Sequence, residues 1–514
     1  MVDIHYHNCT FAYQGTEILS DYSFHIKQGK HAIILGPIGS GKTMLLRSLA
    51  GNTQLKSGEV TFHYKGKELS KSNFHQKVSL VEFVKPSKLF NPNNHFYQQR
   101  YHHQMEDDQS SKSMTIEALL KLMGFSINDQ KVHQFLEREN LLNQLHSKLI
   151  QLSSGQRRKL QLIVSLLSLP EVLLLDSPYI GLDAESRNDL NEWLLELVEE
   201  KNLQIILSAD ERDAPAWIYK RITLPSRSST FTTSPDSFGP LIKAWNKNDI
   251  QKSIIPMLEL ENININYGRI KVLNELNWRV NQGERVALIG KNGSGKSTLL
   301  SLIYADNPKA YCNSIRLFGT QRGKGDNIWS IKKRIGFVSS ELHLYFTEKY
   351  TCFKVIATGF FDTKFITRKL YHYETEIIEA YINYFGLSHL LNREYAKTSL
   401  GEQKITLFIR ALVKNPELLL LDEPYQGFDI GFIEKANKLL NAMVNYSNTT
   451  LIFISHYRNE IPGCIDRIYH LTDGKIREAK KKTFSTSTQT TKKIIVNWLR
   501  IRFSMPFWMR DPLK

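Results

Sequence analysis

Two segments of this chain have the residue types and spacing to hold a phosphate chain: GPIGSGKT at 36–43 and GKNGSGKS at 290–297. Both fit G-x-x-x-x-G-K-[ST], and each follows an apolar run and opens a helical pattern. In such a loop Gly36, Gly39 and Gly41, or Gly290, Gly293 and Gly295, let backbone N–H groups turn inward around phosphate oxygens. Ser40, Asn292 and Ser294 lie among them, and the following helix, opening in the second copy with Thr298, adds its positive N-terminal end. Lys42 and Lys296 then reach the terminal phosphates, while Thr43 and Ser297 offer hydroxyls to Mg²⁺.

A second pair of segments, VLLLDSP and LLLLDEP, are apolar strands ending in Asp176 and Asp422. A carboxylate at the end of a buried strand is costly unless a cation is there to serve. Mg²⁺ beside the glycine loop supplies that reason.

The elements that must position these residues occur twice in the same order. FAYQGTEILSDYSFHIKQG (11–29) is matched by INYGRIKVLNELNWRVNQG (265–283), and LSSGQRRKL (152–160) by SLGEQKITL (399–407). IILSADERDAPAWI (205–218) is matched by IFISHYRNEIPGCI (452–465), all at an offset of about 250 residues. The economical reading is two copies of one α/β domain. The Ser/Thr/Pro-rich stretch at 221–256 reads as a flexible connector, 85–113 as a surface insertion, and 479–514 as a basic tail. The run LQLIVSLLSLPEVLLLD (160–176), broken by Pro170, reads as a buried helix followed by a buried strand.

A length of 514 residues suits two or three domains, and 41% hydrophobic with 23% charged residues is ordinary for a globular protein. No apolar run reaches the roughly 18 residues a membrane span needs, and MVDIHYHNCTF lacks the basic head and apolar core of a secretion signal. Cys9, Cys312, Cys352 and Cys464 have neither zinc nor redox spacing. The expectation is a cytoplasmic protein, with a peripheral place at the inner membrane face left open. Net charge is +16, and half of that excess falls after residue 479, where nine Lys and Arg stand against Asp511 alone.

Taken together, these motifs resemble the ATP-binding cassette (ABC) family, and the deciding element is LSSGQ at 152–156, which resembles its signature sequence. The resemblance covers almost all of residues 1–475. It implies two tandem P-loop nucleotide-binding domains, at 1–220 and 257–478, each with a RecA-like core and a helical signature subdomain. It implies ATP and Mg²⁺ as ligands and a head-to-tail cassette pair within one chain. Each ATP then lies between one glycine loop and the other cassette's signature: Ser153, Ser154, Gly155 and Gln156 on one side, Ser399, Gly401 and Glu402 on the other. By the same resemblance Tyr13 and Tyr267 stack on adenine, and 181–183 and 427–429 form the D-loops. Glu423 polarises the attacking water and His456 contacts the γ-phosphate.

The copies differ where chemistry would occur. Glu423 is matched by Ser177, whose hydroxyl is no general base near neutral pH. His456 is matched by Ala209 when Pro215 and Pro462 are set opposite each other. The second signature is altered to Thr398-Ser399-Leu400-Gly401-Glu402. All these losses fall in one composite site, so one site is expected to hydrolyse ATP and the other mainly to bind it. The glutamine usual in an ABC Q-loop is also missing: Ser340 follows RIGFV, and Phe83 follows VSLVE. Gln98 or Gln99 is the alternative in the first copy.

The chain further resembles bacterial duplicated ABC ATPases of the molybdate-transport-associated or photorepair type, on 317–344, 410–429 and the YQQR insertion. Three readings follow: a stand-alone tandem ATPase linked to molybdate or another oxyanion, the motor of an importer with a membrane permease, or a nucleic-acid- or ribosome-acting ABC protein. The missing glutamines weigh against the second. For the third, the connector is not a long charged helix and zinc cysteines are absent, which leaves only the basic tail.

Overall fold

The computed structural model describes all residues except 14–15, 54, 84–113, 150–151, 153, 202, 226–238, 246–255, 268–269, 326, 340–341, 343–345, 347–348, 456–459 and 480–514. The insertion and the tail therefore lie outside the described residues. So do His456, Ser153, Ser340, Gln98 and Gln99.

Each cassette is built from an antiparallel sheet and a parallel one. In the first, β1 (Val2–Tyr13), β2 (Thr16–Ile26), β4 (Leu55–Tyr64) and β5 (Lys67–Leu69) form an antiparallel sheet ordered β2-β1-β4-β5. Behind it lies a parallel sheet ordered β6-β7-β8-β3-β9, from β3 (Ala32–Leu35), β6 (Val78–Glu82), β7 (Val172–Asp176), β8 (Gln204–Ser208) and β9 (Lys220–Thr223). The second cassette repeats the plan. Its antiparallel sheet is β11-β10-β13-β14, from β10 (Pro256–Tyr267), β11 (Ile270–Asn281), β13 (Ser314–Leu317) and β14 (Thr320–Gln321). Its other sheet is β15-β16-β17-β12-β18-β19, from β12 (Arg285–Ile289), β15 (Ile335–Val338), β16 (Leu418–Asp422), β17 (Thr450–Ile454), β18 (Arg467–Thr472) and β19 (Lys475–Glu478). The first five of these six strands follow the order of the first cassette.

The unbroken apolar runs VLLLD and LLLLD are wholly buried because helices cover one face of the parallel sheet, and the helix after the glycine loop together with the antiparallel sheet covers the other. The 160–176 run is a helix, Ser154–Leu167, then β7, with Pro170 in the turn, as its pattern predicts. In each cassette one apolar cluster fills the space between the two sheets, and a second joins the helical subdomain to the parallel sheet.

The connector is not flexible throughout. A helix, Gly239–Trp245, lies within it and docks on the second cassette. Leu241 and Trp245 are fully buried there, and the Trp245 indole N–H donates to Tyr381 OH at 2.9 Å. Aromatic burial of this size offsets part of the cost of ordering seven residues. Trp245→Ala should destabilise this cassette by about 3–5 kcal/mol. That is a fall in its Tm readable by calorimetry, and an unchanged Tm would refute the docking. Among the described residues no helix is long and apolar enough to cross a membrane.

Candidate functional site

Both glycine loops begin where a central parallel strand, β3 or β12, ends. The helices Lys42–Leu49 and Lys296–Ile303 are each preceded by a left-handed glycine, Gly41 at φ 101° and Gly295 at φ 99°. A side chain there would be strained and would also strike Ile18 or Val272. Lys42 Nζ donates to the carbonyls of Gly36 and Pro37, and Lys296 Nζ to those of Gly290 (2.7 Å) and Lys291 (2.8 Å). Burial pushes both lysines below the ordinary ammonium range, so an incoming anion has much to gain beside them. The Ser40 and Ser294 hydroxyls are buried without a partner. Loop amides, a lysine and an unsatisfied hydroxyl are what a phosphate chain would satisfy.

At the strand ends, Asp176 accepts from Thr43 Oγ1 at 2.8 Å and from Ser208 Oγ at 2.6 Å. Burial raises its carboxyl, and those two bonds oppose the rise. Asp422 is likewise buried at the end of β16, with Ser297 exposed in the first turn of the helix after the second glycine loop. Among the described residues no group of three or more His, Cys, Asp or Glu gathers as a metal cluster. A hydroxyl and one carboxylate per site suit Mg²⁺, which takes its remaining oxygens from phosphates and water.

The next residue separates the copies. Ser177 and Glu423 both sit in left-handed backbone, at φ 56° and 48°. Their amides bond alike, Ser177 N to Ser208 O at 3.2 Å and Glu423 N to Ile454 O at 2.9 Å. One backbone thus carries a hydroxyl in one cassette and a carboxylate in the other. The same pairing corrects a register. Asp176 lies opposite Ser208, and Asp422 opposite Ile454. Counting two residues on, Asp210 rather than Ala209 corresponds to His456. The stretch from strand end to proline is one residue shorter in the first cassette, so aligning the prolines displaces everything before them. The first copy lacks the imidazole and has a carboxylate in its place.

The cassettes meet head to tail through two matching contacts. Asp429 Oδ2 accepts from Ile38 N at 3.0 Å, and Asp183 Oδ2 accepts from Asn292 N at 3.1 Å. Each aspartate uses its other oxygen on the first turn of its own following helix, receiving Phe432 N at 2.9 Å or Ser186 N at 2.8 Å. A helix-capping residue thereby also fixes the opposite glycine loop.

The altered signature lies on the first loop. One cleft is lined by Gly39, Lys42, Thr43, Asp176, Ser399 and Glu402. A Cβ on Gly39 would lie 3.2 Å from Glu402 Oε1, and a Cβ on Gly401 would lie 2.7 Å from the Ile38 side chain. Ser399 starts the helix Leu400–Leu412 with a reciprocal cap: its hydroxyl takes Glu402 N, and Glu402 Oε2 takes Ser399 N at 2.7 Å. Burial would raise the Glu402 carboxyl, but His389, Ser399 and Arg393 together hold it below its ordinary value. An anion is therefore fixed where a glutamine stands in the first signature. Around the second loop, a Cβ on Gly293, the counterpart of Gly39, would meet nothing within 4 Å.

The remaining site residues are placed as follows. Gly155 and Gln156 lie in the first turns of the helix Ser154–Leu167, and the Ser154 side chain is outside the description. Thr298 is buried in the helix after the second loop. Tyr13 closes β1, its side chain also outside the description. Tyr267 is buried, its OH accepts from Asn307 at 3.0 Å, and Lys309 lies 5.2 Å from its ring centroid, over the face. A base stacking on Tyr267 must share or displace that lysine.

Sequence reasoning missed a central cavity between the cassettes, lined by Asp210, Arg212, Glu423, Gln426 and Glu460. It also missed the equivalent signature-helix cations Arg158 and Lys404. Burial lowers Lys404 to about 8, against the pull of Glu423 and Asp422. Lys404 Nζ donates to Gln426 Oε1, and Gln426 Nε2 donates to Glu423 Oε2 at 3.3 Å. The one available signal was a cation two or three residues after each signature.

Residues 19–179 and 273–426 match the family described as ABC transporter. An uncharacterized ABC transporter ATP-binding protein of Schizosaccharomyces pombe is 31% identical over 485 residues, 91% of this chain and 98% of that protein. The ABC transporter ATP-binding protein ModF of Escherichia coli is 29% identical over 491 residues, covering 90% and 96%. An uncharacterized ABC transporter ATP-binding protein of Saccharomyces cerevisiae is 25% identical, covering 88% and 92%. With its paired glycine loops, its strand-end aspartates and both cassettes matched, this chain belongs to the ATP-binding cassette family of ATPases.

Proposed function

We propose that the chain hydrolyses ATP at one composite site, on Lys296, Ser297, Asp422 and Glu423 with His456, and mainly binds ATP at the other, on Lys42, Thr43 and Asp176. The observation that carries this is the shared left-handed backbone at Ser177 and Glu423. The position that aims a carboxylate at attacking water is kept in both cassettes, but only one has the carboxylate.

The chemistry is largely one of positioning. Loop amides and Lys296 hold the phosphates, and Asp183 from the other cassette steadies Asn292 in that loop. Glu423 accepts the proton of the attacking water, and Gln426 and Lys404 orient its carboxylate. Ser297 and Asp422 would hold Mg²⁺, which neutralises charge developing on the phosphates. At the other site no base stands after Asp176, and the fixed Glu402 anion faces the loop. Both features favour holding nucleotide over cleaving it.

Lys296→Ala should lose about 100-fold or more in ATP turnover, whereas Lys42→Ala should keep it within about tenfold. Equal losses, measured by phosphate release, would defeat the asymmetry. We further propose action in oxyanion handling, molybdate being the first candidate, on the resemblance of 317–344 and 410–429. Stimulation of turnover by molybdate, and none by sulfate-free buffer alone, is the measurement.

A further inference from the structure

The segment after β8 packs on the first cassette and sends the Arg212 side chain to the second. Asp210, at the place corresponding to His456, accepts on Oδ1 from Arg212 N (3.1 Å) and Nε (2.8 Å). The Arg212 guanidinium then reaches the other cassette twice. Nη1 donates to Glu460 Oε1 at 2.8 Å, and Nη2 to the carbonyl of Phe428 at 3.1 Å.

Both acceptors matter to the second cassette. Glu460 takes the Ser455 hydroxyl at 2.7 Å on its other oxygen and lines the central cavity with Glu423. Phe428 precedes Asp429, the residue that holds Ile38 on the first glycine loop. At the near end, Asp210 is the foremost of the carboxylates pulling on the buried Lys42 ammonium, and both line the central cavity. Arg212 thus joins Asp210, Glu460 and the Phe428 carbonyl through a single side chain.

We propose that Arg212 is a positioning residue that couples nucleotide occupancy at Lys42 to hydrolysis at Lys296. The proposal rests on the one-site reading above. A polyphosphate bound on Lys42 competes with Asp210 for that ammonium and brings anionic charge close to Arg212. Both change the force with which the guanidinium holds Glu460 and the Phe428 carbonyl. Glu460 is only 5% exposed and lines the central cavity with Glu423, so loss of its cation leaves a buried carboxylate uncompensated beside the catalytic one. Lysine keeps the charge but not the fork that serves three acceptors together.

The test is steady-state ATP turnover of the full chain for Arg212→Ala, Arg212→Lys and Glu460→Gln, each with and without Lys42→Ala. Arg212→Ala and Glu460→Gln should lower kcat about tenfold with KM for ATP nearly unchanged. Arg212→Lys should recover part of that loss. Lys42→Ala, which lowers turnover by no more than about tenfold in the otherwise wild-type chain, should have no further effect once Arg212 is Ala. Wild-type kcat in Arg212→Ala, or effects of the two substitutions that simply multiply, overturns the coupling. If Arg212→Ala melts early, Arg212→Lys and Glu460→Gln decide by the same criteria. Retained turnover in Glu423→Gln would instead sink the one-site reading, a result separate from these.

Discussion

Glu423→Gln should bind ATP like the wild type and turn it over about 10²–10⁴-fold more slowly, the usual cost of losing a general base. The substitution is nearly isosteric, and the contact with Gln426 Nε2 survives because an amide oxygen accepts as a carboxylate oxygen does. What disappears is the ability to take a proton. The backbone amide still bonds to Ile454 O, so the loop should not move. Two neighbouring groups are not ready substitutes: Ser177 holds the matching position in the other cassette, and Glu460 is engaged by Arg212 and Ser455. Phosphate release and equilibrium nucleotide binding, measured on one preparation, separate chemistry from binding. Turnover near wild type would mean that another carboxylate does the work and that the two sites are misassigned.

Gly401→Val should cost nearly as much by a different route. A Cβ at 401 lies 2.7–3.0 Å from three carbons of Ile38, on the glycine loop of the opposite cassette. Neither partner can retreat freely. Ile38 N is bonded to Asp429, and residue 401 lies in the first turn of a helix fixed by the Ser399–Glu402 cap. Overpacking of this kind costs about 1–3 kcal/mol, which is about 5- to 150-fold in the population of the closed pair. Because one chain carries both cassettes, forcing one composite site apart also loosens the other, so hydrolysis at Lys296 should fall although Gly401 does not touch it. Ile38→Ala in the same chain returns the space and should restore most of the turnover. Failure of that rescue, with the folded state intact by calorimetry, would show that the clash is not what limits closure.

Much of this was legible in the sequence because the relevant signals are local. The glycine loops and the strand-end aspartates announce themselves by spacing, the LSSGQ segment by its resemblance to a family signature, and their repetition gives the paired-cassette plan. What was not legible depends on residues far apart in the chain. Strand pairing set Asp210 against His456, where matched prolines had suggested Ala209. Arg212 reads as a surface charge until folding brings Glu460 and Phe428 to it across more than 200 residues. The Ser/Thr/Pro-rich connector reads as loose chain because a seven-residue helix shows too little periodicity, and only the pocket around Tyr381 gives Trp245 its purpose. Tyr267, expected against a base, turned out buried with a lysine over its ring, since Asn307 and Lys309 follow it by some forty residues.

Ser177 has a further meaning. A non-glycine residue in left-handed backbone costs about 1–3 kcal/mol, and in the second cassette that strain is repaid by aiming Glu423. In the first cassette the strain remains and the carboxylate is gone. Nothing in serine chemistry asks for that conformation. The turn is fixed by the backbone whatever side chain it carries, through Ser177 N to Ser208 O in one cassette and Glu423 N to Ile454 O in the other. On the proposed one-site reading, the first cassette keeps the turn as architecture while the second supplies the carboxylate.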